Sequence, residues 1–193
     1  RVEVDGEYWN ILDAEILSSF GFQPGVRVEE ETLLRALGEA ERRRARERAF
    51  YLLSGRDYSA GELLEKLSKN VSEETALGTV VRMQELGFID DSVYAVKLAR
   101  SLLNVKRYGV YRARQEMRKK HLDGEAIDAA LEEVLAETDP LEPLRELVEK
   151  KYWKNLGTPE GRKKTAAALM RLGHRPADIR AVLEELEEDG WVE

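Results

Sequence analysis

The chain has 193 residues, of which 42% are hydrophobic and 36% are charged, so its composition is that of a folding domain and not of a disordered chain. The absence of cysteine excludes disulfides, zinc ribbons and thiol catalysis. A formal net charge of −7 argues, taken as an average, against a nucleic-acid-binding protein.

Targeting signals are missing from this sequence. No apolar run approaches the roughly 20 residues of a membrane span, and nothing resembles a signal peptide. We therefore expect a cytoplasmic protein without a membrane partner. Because the chain opens on Arg1 and not on methionine, we also expect that residues are missing before it.

The first segment, RVEVDGEYWNIL, alternates between apolar and polar residues. Asp5-Gly6 in its middle predicts a β-hairpin with a tight turn. Asp13 then predicts the N-cap of a short helix that ends near Gly21, before a turn at Pro24-Gly25. From about Glu29 onward the apolar residues follow a helical period.

The helical part repeats itself. Three segments share their apolar spacing at offsets of 50 to 52 residues, which suits three helices per repeat. The predicted fold is therefore mainly α: a tandem array of three three-helix repeats, preceded by a short β-hairpin and helices. The predicted domains are 1–41, 42–90, 91–138 and 139–193. The predicted helices are 41–54, 59–69, 72–86, 91–104, 110–120, 123–136, 140–155, 159–171 and 176–188.

Residues that begin and end helices stand between these segments. Ser59 and Glu62 form a capping-box pattern, in which a hydroxyl and a carboxylate cover the free amides of a first turn. The remaining predicted signals are Ser72, Asp123 and Asp139 at helix starts, Pro140, Pro159 and Pro176 in first turns, and Gly87, Gly157 and Gly173 at helix ends.

An aspartate pair, Asp90-Asp91, lies between two helical segments. A metal or acid–base site is one interpretation. However, two neighbouring carboxylates without a histidine, a third acid or a glycine-rich loop make a poor ion site. We therefore interpret Asp90 as an N-cap and Asp91 as a first-turn residue that the helix dipole favours.

Catalytic signatures are absent from the sequence. It contains no GxxxxGK[ST], GxSxG or HExxH motif. The two histidines, His121 and His174, each lie near the end of the second helix of a different repeat, so we do not expect them to share a metal. We predict a protein that is not an enzyme, with no cofactor, no metal and no catalytic residue.

Charge is distributed in blocks of alternating sign. Residues 97–121 carry a net charge of +8, residues 122–149 carry −9, and residues 150–175 carry +7. Helical geometry predicts that Val110, Ala113 and Met117 pack inward while basic side chains project outward. The candidate contacts to an acidic partner are Lys106, Arg107, Arg112, Arg118, Lys119, Arg162, Lys163 and Lys164.

The same pattern has a simpler interpretation. A basic helix can be an ordinary solubilising surface, and Tyr108 and Tyr111 between the basic residues can pack against neighbouring helices. Alternatively, arginines and lysines next to aromatics suit phosphate contact with base stacking. The charge run alone favours neither interpretation.

Three phrases together resemble the RecX family of regulatory proteins. RDYSAGELLEKL matches its Arg-x-x-Ser-x-x-Glu-Leu-x-x-Lys-Leu pattern at Arg56, Ser59 and Glu62. LGFIDDSVYAVKLARS matches a Gly-hydrophobic-hydrophobic-Asp-Asp pattern. In KRYGVYRARQEMRKKHLDGEAIDAAL, Gly109, Glu116 and Lys120 fit, whereas His121 replaces the customary glycine and Ala113 the usual isoleucine. The resemblance runs from about residue 42 to 188.

The resemblance implies a protein of three three-helix repeats that binds the RecA–DNA filament and restrains recombination. It implies no catalytic residues. The acidic net charge, which departs from a commonly basic family, weighs against strong direct DNA binding, so only weak nucleic-acid binding is expected. A monomer is predicted. Two alternatives stay open: a nucleic-acid-binding repeat protein without a RecA role, and a helical scaffold for another protein.

Overall fold

A computed structural model describes residues 1–137 and 139–188. The described chain is mainly helical, with one two-stranded sheet at its start, which confirms the predicted fold class. The elements are β1 (Val2–Val4), β2 (Glu7–Asn10), α1 (Ala14–Ser19), α2 (Glu30–Leu53), α3 (Ala60–Leu67), α4 (Glu73–Glu85), α5 (Asp91–Arg100), α6 (Val110–Arg118), α7 (Gly124–Ala136), α8 (Glu142–Lys151), α9 (Pro159–Arg171) and α10 (Pro176–Glu188).

The predicted hairpin is present. β1 pairs antiparallel with β2, and the turn residues Asp5 and Gly6 have φ values of 53° and 85°. Positive φ at both central residues is the requirement of a type I′ turn, which Asp-Gly meets at low cost. The hairpin is followed by α1, whose Ile16 is buried with Ala36 and Ala40 of α2.

Helix α2 is one continuous helix of 24 residues, so the predicted start at residue 41 is wrong. Its first half buries Ala36 and Ala40 against the N-terminal segment, whereas its second half buries Ala45 and Ala49. At about 100° per residue, Ala40 and Ala45 point about 140° apart. The helix therefore packs through nearly opposite faces in its two halves, and neither face is strongly apolar.

Repeat 1 consists of the second half of α2 with α3 and α4. The Ser59 hydroxyl accepts the backbone N–H of Glu62 at 3.0 Å, which confirms the predicted cap. Ser72 caps α4, and Glu41 of α2 also accepts its backbone N–H at 2.6 Å. This backbone hydrogen bond is the main cause of the lowered pKa of Glu41. Glu41 therefore links α2 to the start of α4.

Repeat 2 consists of α5, α6 and α7. Asp90 accepts the backbone N–H groups of Ser92 at 3.0 Å and Val93 at 3.1 Å, so the capping interpretation of Asp90 is confirmed. Hydrogen bonds from the Ser92 hydroxyl and these amides lower the pKa of Asp90. After Arg100 the chain forms a π-helical turn, Ser101–Val105, where an α-helix to residue 104 was predicted.

Repeat 3 consists of α8, α9 and α10. The first-turn proline of α8 is Pro143 and not Pro140, because α8 begins at Glu142. It ends at Lys151 and a 3-10 turn follows at Trp153–Asn155, so the single predicted helix 140–155 is wrong. Arg145 of α8 donates two hydrogen bonds of 3.0 Å to Glu185 of α10, and these raise the pKa of Arg145.

Two compact units make up the chain, residues 1–89 and 90–193. Among the described residues, four buried clusters fill these units: one under the N-terminal segment and one in each repeat. The four-way domain division stays a prediction, and its residues 138 and 189–193 lie outside the described residues. Among the residues the structure describes, no helix is long and apolar enough to cross a membrane.

Candidate protein-contact surface in repeats 2 and 3

The loop before α6 carries the first candidate residues. Arg107 has a φ of 56°, and the backbone N–H of Tyr108 bonds to the Leu102 carbonyl at 3.0 Å. Gly109 follows as the N-cap of α6. A positive φ in a non-glycine residue stores strain, which the surrounding contacts must offset.

Those contacts come from repeat 3. The Gly109 N–H bonds to the Leu172 carbonyl at 2.9 Å, and the His174 Nε2 lies 3.0 Å from the Arg107 carbonyl oxygen and donates to it. A Cβ on Gly109 would lie 2.1 Å from the Gly173 carbonyl oxygen. The two repeats therefore meet backbone against backbone, at a distance that only glycine permits.

Two of the predicted contact residues form part of this junction. Arg107 pairs with Glu146, whose pKa is lowered by hydrogen bonds and charge from Lys150 and Arg107. Arg112 lies over the Tyr108 ring at 4.2 Å and donates to the Arg171 carbonyl at 3.3 Å. Arg112 lies away from the apolar face of α6, as predicted, but it is only half-exposed because it folds onto Tyr108 and repeat 3. Its guanidinium is engaged in holding repeats 2 and 3 together.

The other residues of repeat 2 do face solvent. Lys106, Arg118 and Lys119 are exposed, and Lys119 pairs with Glu116 one turn earlier at 2.9 Å. That hydrogen bond is the main cause of the lowered pKa of Glu116. Tyr111, which is 68% exposed, lies on the same outer side of α6 as Arg118. An acidic partner can reach these groups without unfolding the junction.

The predicted contact residues of repeat 3 likewise include one that packs within the fold and two that face solvent. Arg162 is half-buried and pairs with Glu187 of α10, and its Nε is buried without a hydrogen-bond partner. Lys163 and Lys164 are exposed, and Lys164 pairs with Glu160 at 2.7 Å. We therefore assign Arg162 to the packing of α9 on α10. Of the three predicted contact residues in repeat 3, Lys163 and Lys164 remain open to a partner.

Other kinds of site find little support. Across the described residues, no group of three or more histidine, cysteine or acidic side chains is placed to hold a metal. His174 is half-buried in the junction, where burial lowers its pKa. His121 is exposed and occupies a left-handed turn with φ of 55°. The two histidines thus have separate structural positions.

A cleft of about 490 Å³ between α2 and α4 is lined by three arginines: Arg42, Arg46 and Arg82. Sequence reasoning did not single it out. Glu39 accepts hydrogen bonds from Arg42 and Arg46, and Glu85 pairs with Arg82 at 2.8 Å. Because each arginine already faces a carboxylate, the cleft is close to neutral.

Comparison with known proteins gives the family. The regulatory protein RecX of Trichlorobacter lovleyi is 33% identical over 141 residues, which cover 71% of this chain and 92% of that protein. The chain belongs to the RecX family. The RecX protein of Prosthecochloris aestuarii is 32% identical and is covered over 98% of its length. The sequence model of the second three-helix domain of RecX matches residues 90–131.

Solved RecX structures share the fold. A crystal structure of regulatory protein RecX superposes with a TM-score of 0.72 at 21% identity and covers 93% of this chain and 90% of the other. The RecX structure from Lactobacillus salivarius gives 0.65 at 22% identity, covering 76% and 97%. The predicted family is therefore confirmed, together with the three-helix-repeat fold.

Proposed function

We propose that this RecX-family protein binds the RecA–DNA filament and inhibits the recombinase without catalysing a reaction itself. The observation that carries the proposal is the match to regulatory RecX proteins over nearly their whole length. The exposed basic groups of repeats 2 and 3 support it, because they give the chain a positively charged surface in spite of its net charge of −7. The protein acts as a monomer in the cytoplasm.

The contact surface in this proposal consists of Lys106, Arg118 and Lys119 of repeat 2, with Lys163 and Lys164 of repeat 3. Arg107, Arg112 and Arg162 are kept out of it because their guanidinium groups hold helices together. Exposed charges contribute little to folding but strongly influence the rate of association with an oppositely charged partner. A filament of acidic DNA and protein is such a partner.

Charge reversal tests the proposal. The variant Lys106→Glu/Arg118→Glu/Lys119→Glu should keep its thermal midpoint, since all three side chains are exposed. In a strand-exchange and DNA-dependent ATPase assay with RecA, we expect about tenfold more of it to be needed for the same inhibition. The matched control, Glu132→Gln/Glu133→Gln on α7, should inhibit like the unmodified protein. Full inhibition by the folded triple variant would exclude this surface.

A plain nucleic-acid-binding role is the second candidate, favoured by the exposed Tyr111 beside Arg118. It predicts tight DNA binding without RecA and with a steep salt dependence. RecA inhibition at concentrations where the protein does not bind free DNA would exclude that role.

A further inference from the structure

The second half of α2 exposes a face that its first half buries. In the first half, Ala36 and Ala40 are buried against the N-terminal segment. In the second half, the buried residues are Ala45 and Ala49, which lie on nearly the opposite face of the helix. The side that continues the line of Ala40 therefore meets solvent in the second half. It carries Arg44, Arg48 and Tyr51, spaced by four and three residues along one helical stripe.

An aromatic ring and a guanidinium are stacked on this stripe. Tyr51 is 69% exposed, the most exposed of the large aromatic side chains in the described chain. The Arg48 guanidinium lies over its ring, 5.2 Å from the centroid. Arg44 lies one turn earlier, so the stripe extends over eight residues, 44 to 51, or about 10 Å of helix. We call these three residues the α2 outer stripe.

The arginines of the α2 outer stripe differ from their neighbours in charge pairing. Arg42 and Arg46 share Glu39, and Arg43 pairs with Glu15 and Glu47. In the part of the chain that the structure describes, Arg44 and Arg48 have no carboxylate within salt-bridge distance. The charge of Arg44 helps to lower the pKa of Glu41, but neither guanidinium is held in an ion pair, unlike those of the arginines in the cleft beside α4.

From this arrangement we propose that the α2 outer stripe is a binding site for single-stranded nucleic acid. Tyr51, with Arg48 over its ring, is a stacking platform for one base, and the guanidinium groups of Arg44 and Arg48 contact the phosphates on either side. Base stacking on an aromatic ring together with arginine contacts to the backbone is the usual way in which unpaired strands are held.

The chemistry of the stripe favours a nucleic acid over an acidic peptide. A peptide carboxylate would pair with the arginines but would give the exposed Tyr51 ring no stacking partner beyond Arg48. A single strand presents a negative charge and a flat aromatic face in every nucleotide, which matches both groups at once. The site lies in the first unit and depends on neither the contact surface of repeats 2 and 3 nor RecA.

Fluorescence anisotropy of a labelled oligothymidine, titrated with the full chain at low salt and without RecA, tests the proposal. The double variant Arg44→Gln/Arg48→Gln should bind about tenfold or more weakly, with a salt slope smaller by about 1.4, since each single-strand phosphate contact contributes about 0.7. Tyr51→Leu should also weaken binding by about tenfold, whereas Tyr51→Phe should bind like the unmodified chain.

Matched controls exist within the chain. Arg171→Gln/Arg180→Gln removes the same charge from exposed positions elsewhere, and Tyr8→Leu removes an exposed tyrosine that also lies beside an arginine, with Arg1 5.5 Å from its ring centroid. Both controls should bind the strand normally. Equal loss of binding in the controls would show a general charge effect and overturn the proposal.

Three further results would also overturn it: no binding of the strand by the unmodified chain, unchanged binding by Tyr51→Leu, or equal competition by polyglutamate of the same charge. Circular dichroism of each variant verifies that it is folded. Because no recombinase is present, failure here leaves the inhibition of RecA standing, and loss of inhibition by the repeat 2 variant leaves the α2 outer stripe standing.

Discussion

Repeats 2 and 3 end their second helices with the same backbone turn but with different residues. By the repeat offset, His121 after α6 corresponds to Gly173 after α9. Both have positive φ, 55° and 88°, and both donate their backbone N–H to a carbonyl three residues earlier. A Cβ on Gly173 would lie 2.5 Å from the Arg112 backbone nitrogen, whereas His121 is exposed. The turn tolerates a side chain only where no other repeat packs against it.

The difference shows at which repeat the glycine of the third RecX-like phrase, KRYGVYRARQEMRKKHLDGEAIDAAL in repeat 2, has a structural role. The glycine customary in the third of the RecX-like phrases is replaced by histidine in repeat 2, and α6 still ends three residues before it, at Arg118. In repeat 3 the glycine serves two purposes, the left-handed turn and the contact with Arg112. A glycine in the motif is therefore needed most at the junction between repeats.

The substitution Gly173→Ala should have the largest effect. The new methyl group combines a left-handed conformation that L residues disfavour with a clash against the Arg112 backbone. We expect the free energy of unfolding, measured with urea, to fall by about 3 kcal/mol. Gly87→Ala is the matched control, because Gly87 has a φ of 74° with no atom within 4 Å of the added Cβ, and it should cost about 1 to 2 kcal/mol for the left-handed conformation alone. Equal losses in the two variants would show that the turn, and not the contact with Arg112, causes the effect.

Gly109, on the repeat 2 side of the junction, should be nearly as sensitive to an added methyl group. Gly109→Ala places a Cβ 2.1 Å from the Gly173 carbonyl oxygen, and backbone on both sides must move. Because Gly109 has an ordinary φ of −71°, no left-handed strain is added. Overpacking and the poorer N-cap that alanine makes should together cost about 2 kcal/mol. Gly124→Ala at the start of α7 meets no atom within 4 Å and serves as the control. An unchanged urea midpoint for Gly109→Ala would contradict the close contact of the two repeats.

Acid should weaken the same junction through His174. Burial lowers the pKa of His174 below its ordinary value of 6.5, so the unfolded chain binds a proton at a higher pH than the folded chain. Its contribution to stability is therefore complete above about pH 6.5 and declines as the pH falls toward the folded pKa. Urea unfolding between pH 7.5 and 5 should show this decline, and His174→Gln should reduce its slope. A slope unchanged in His174→Gln would show that other groups cause it.

The smallest effect is expected at the repeat 2 turn itself. His121→Gly restores the customary glycine and relieves the left-handed strain, but it also makes the unfolded chain more flexible. We expect a net gain in unfolding free energy of no more than about 1 kcal/mol. A thermal melt measures it, and a clear loss of stability would mean that the imidazole makes a contact that the turn requires.

Much of this architecture could be read from the sequence, because most helices begin at a Ser, Thr or Asp cap and bury one apolar stripe. Asp90 could be assigned to capping before the structure was known. The start of α2 could not be predicted, because its buried residues are alanines on two opposed faces. No single apolar stripe runs along this helix to mark its first turn.

Side-chain direction was harder to predict than helix position. Arg112 lies on the polar side of α6 in a helical projection, yet Tyr108 and the Arg171 carbonyl hold it against repeat 3. A projection of one helix contains no information on which neighbour covers its polar side. The same limit hid the α2 outer stripe, where the arginines that pair within the fold and those that do not are adjacent in sequence.

The continuity of α2 also determines how the first unit would be cut by trypsin. Seven arginines precede Gly55 from Arg27 onward, and all but Arg27 lie within the helix, where the backbone must unwind before a protease can bind it. Arg27 lies in the irregular segment before α2. Within residues 1–55, limited digestion should therefore nick the chain first after Arg27 and leave the arginine-dense stretch 42–48 intact, although that stretch contains the highest density of cleavage sites in the sequence.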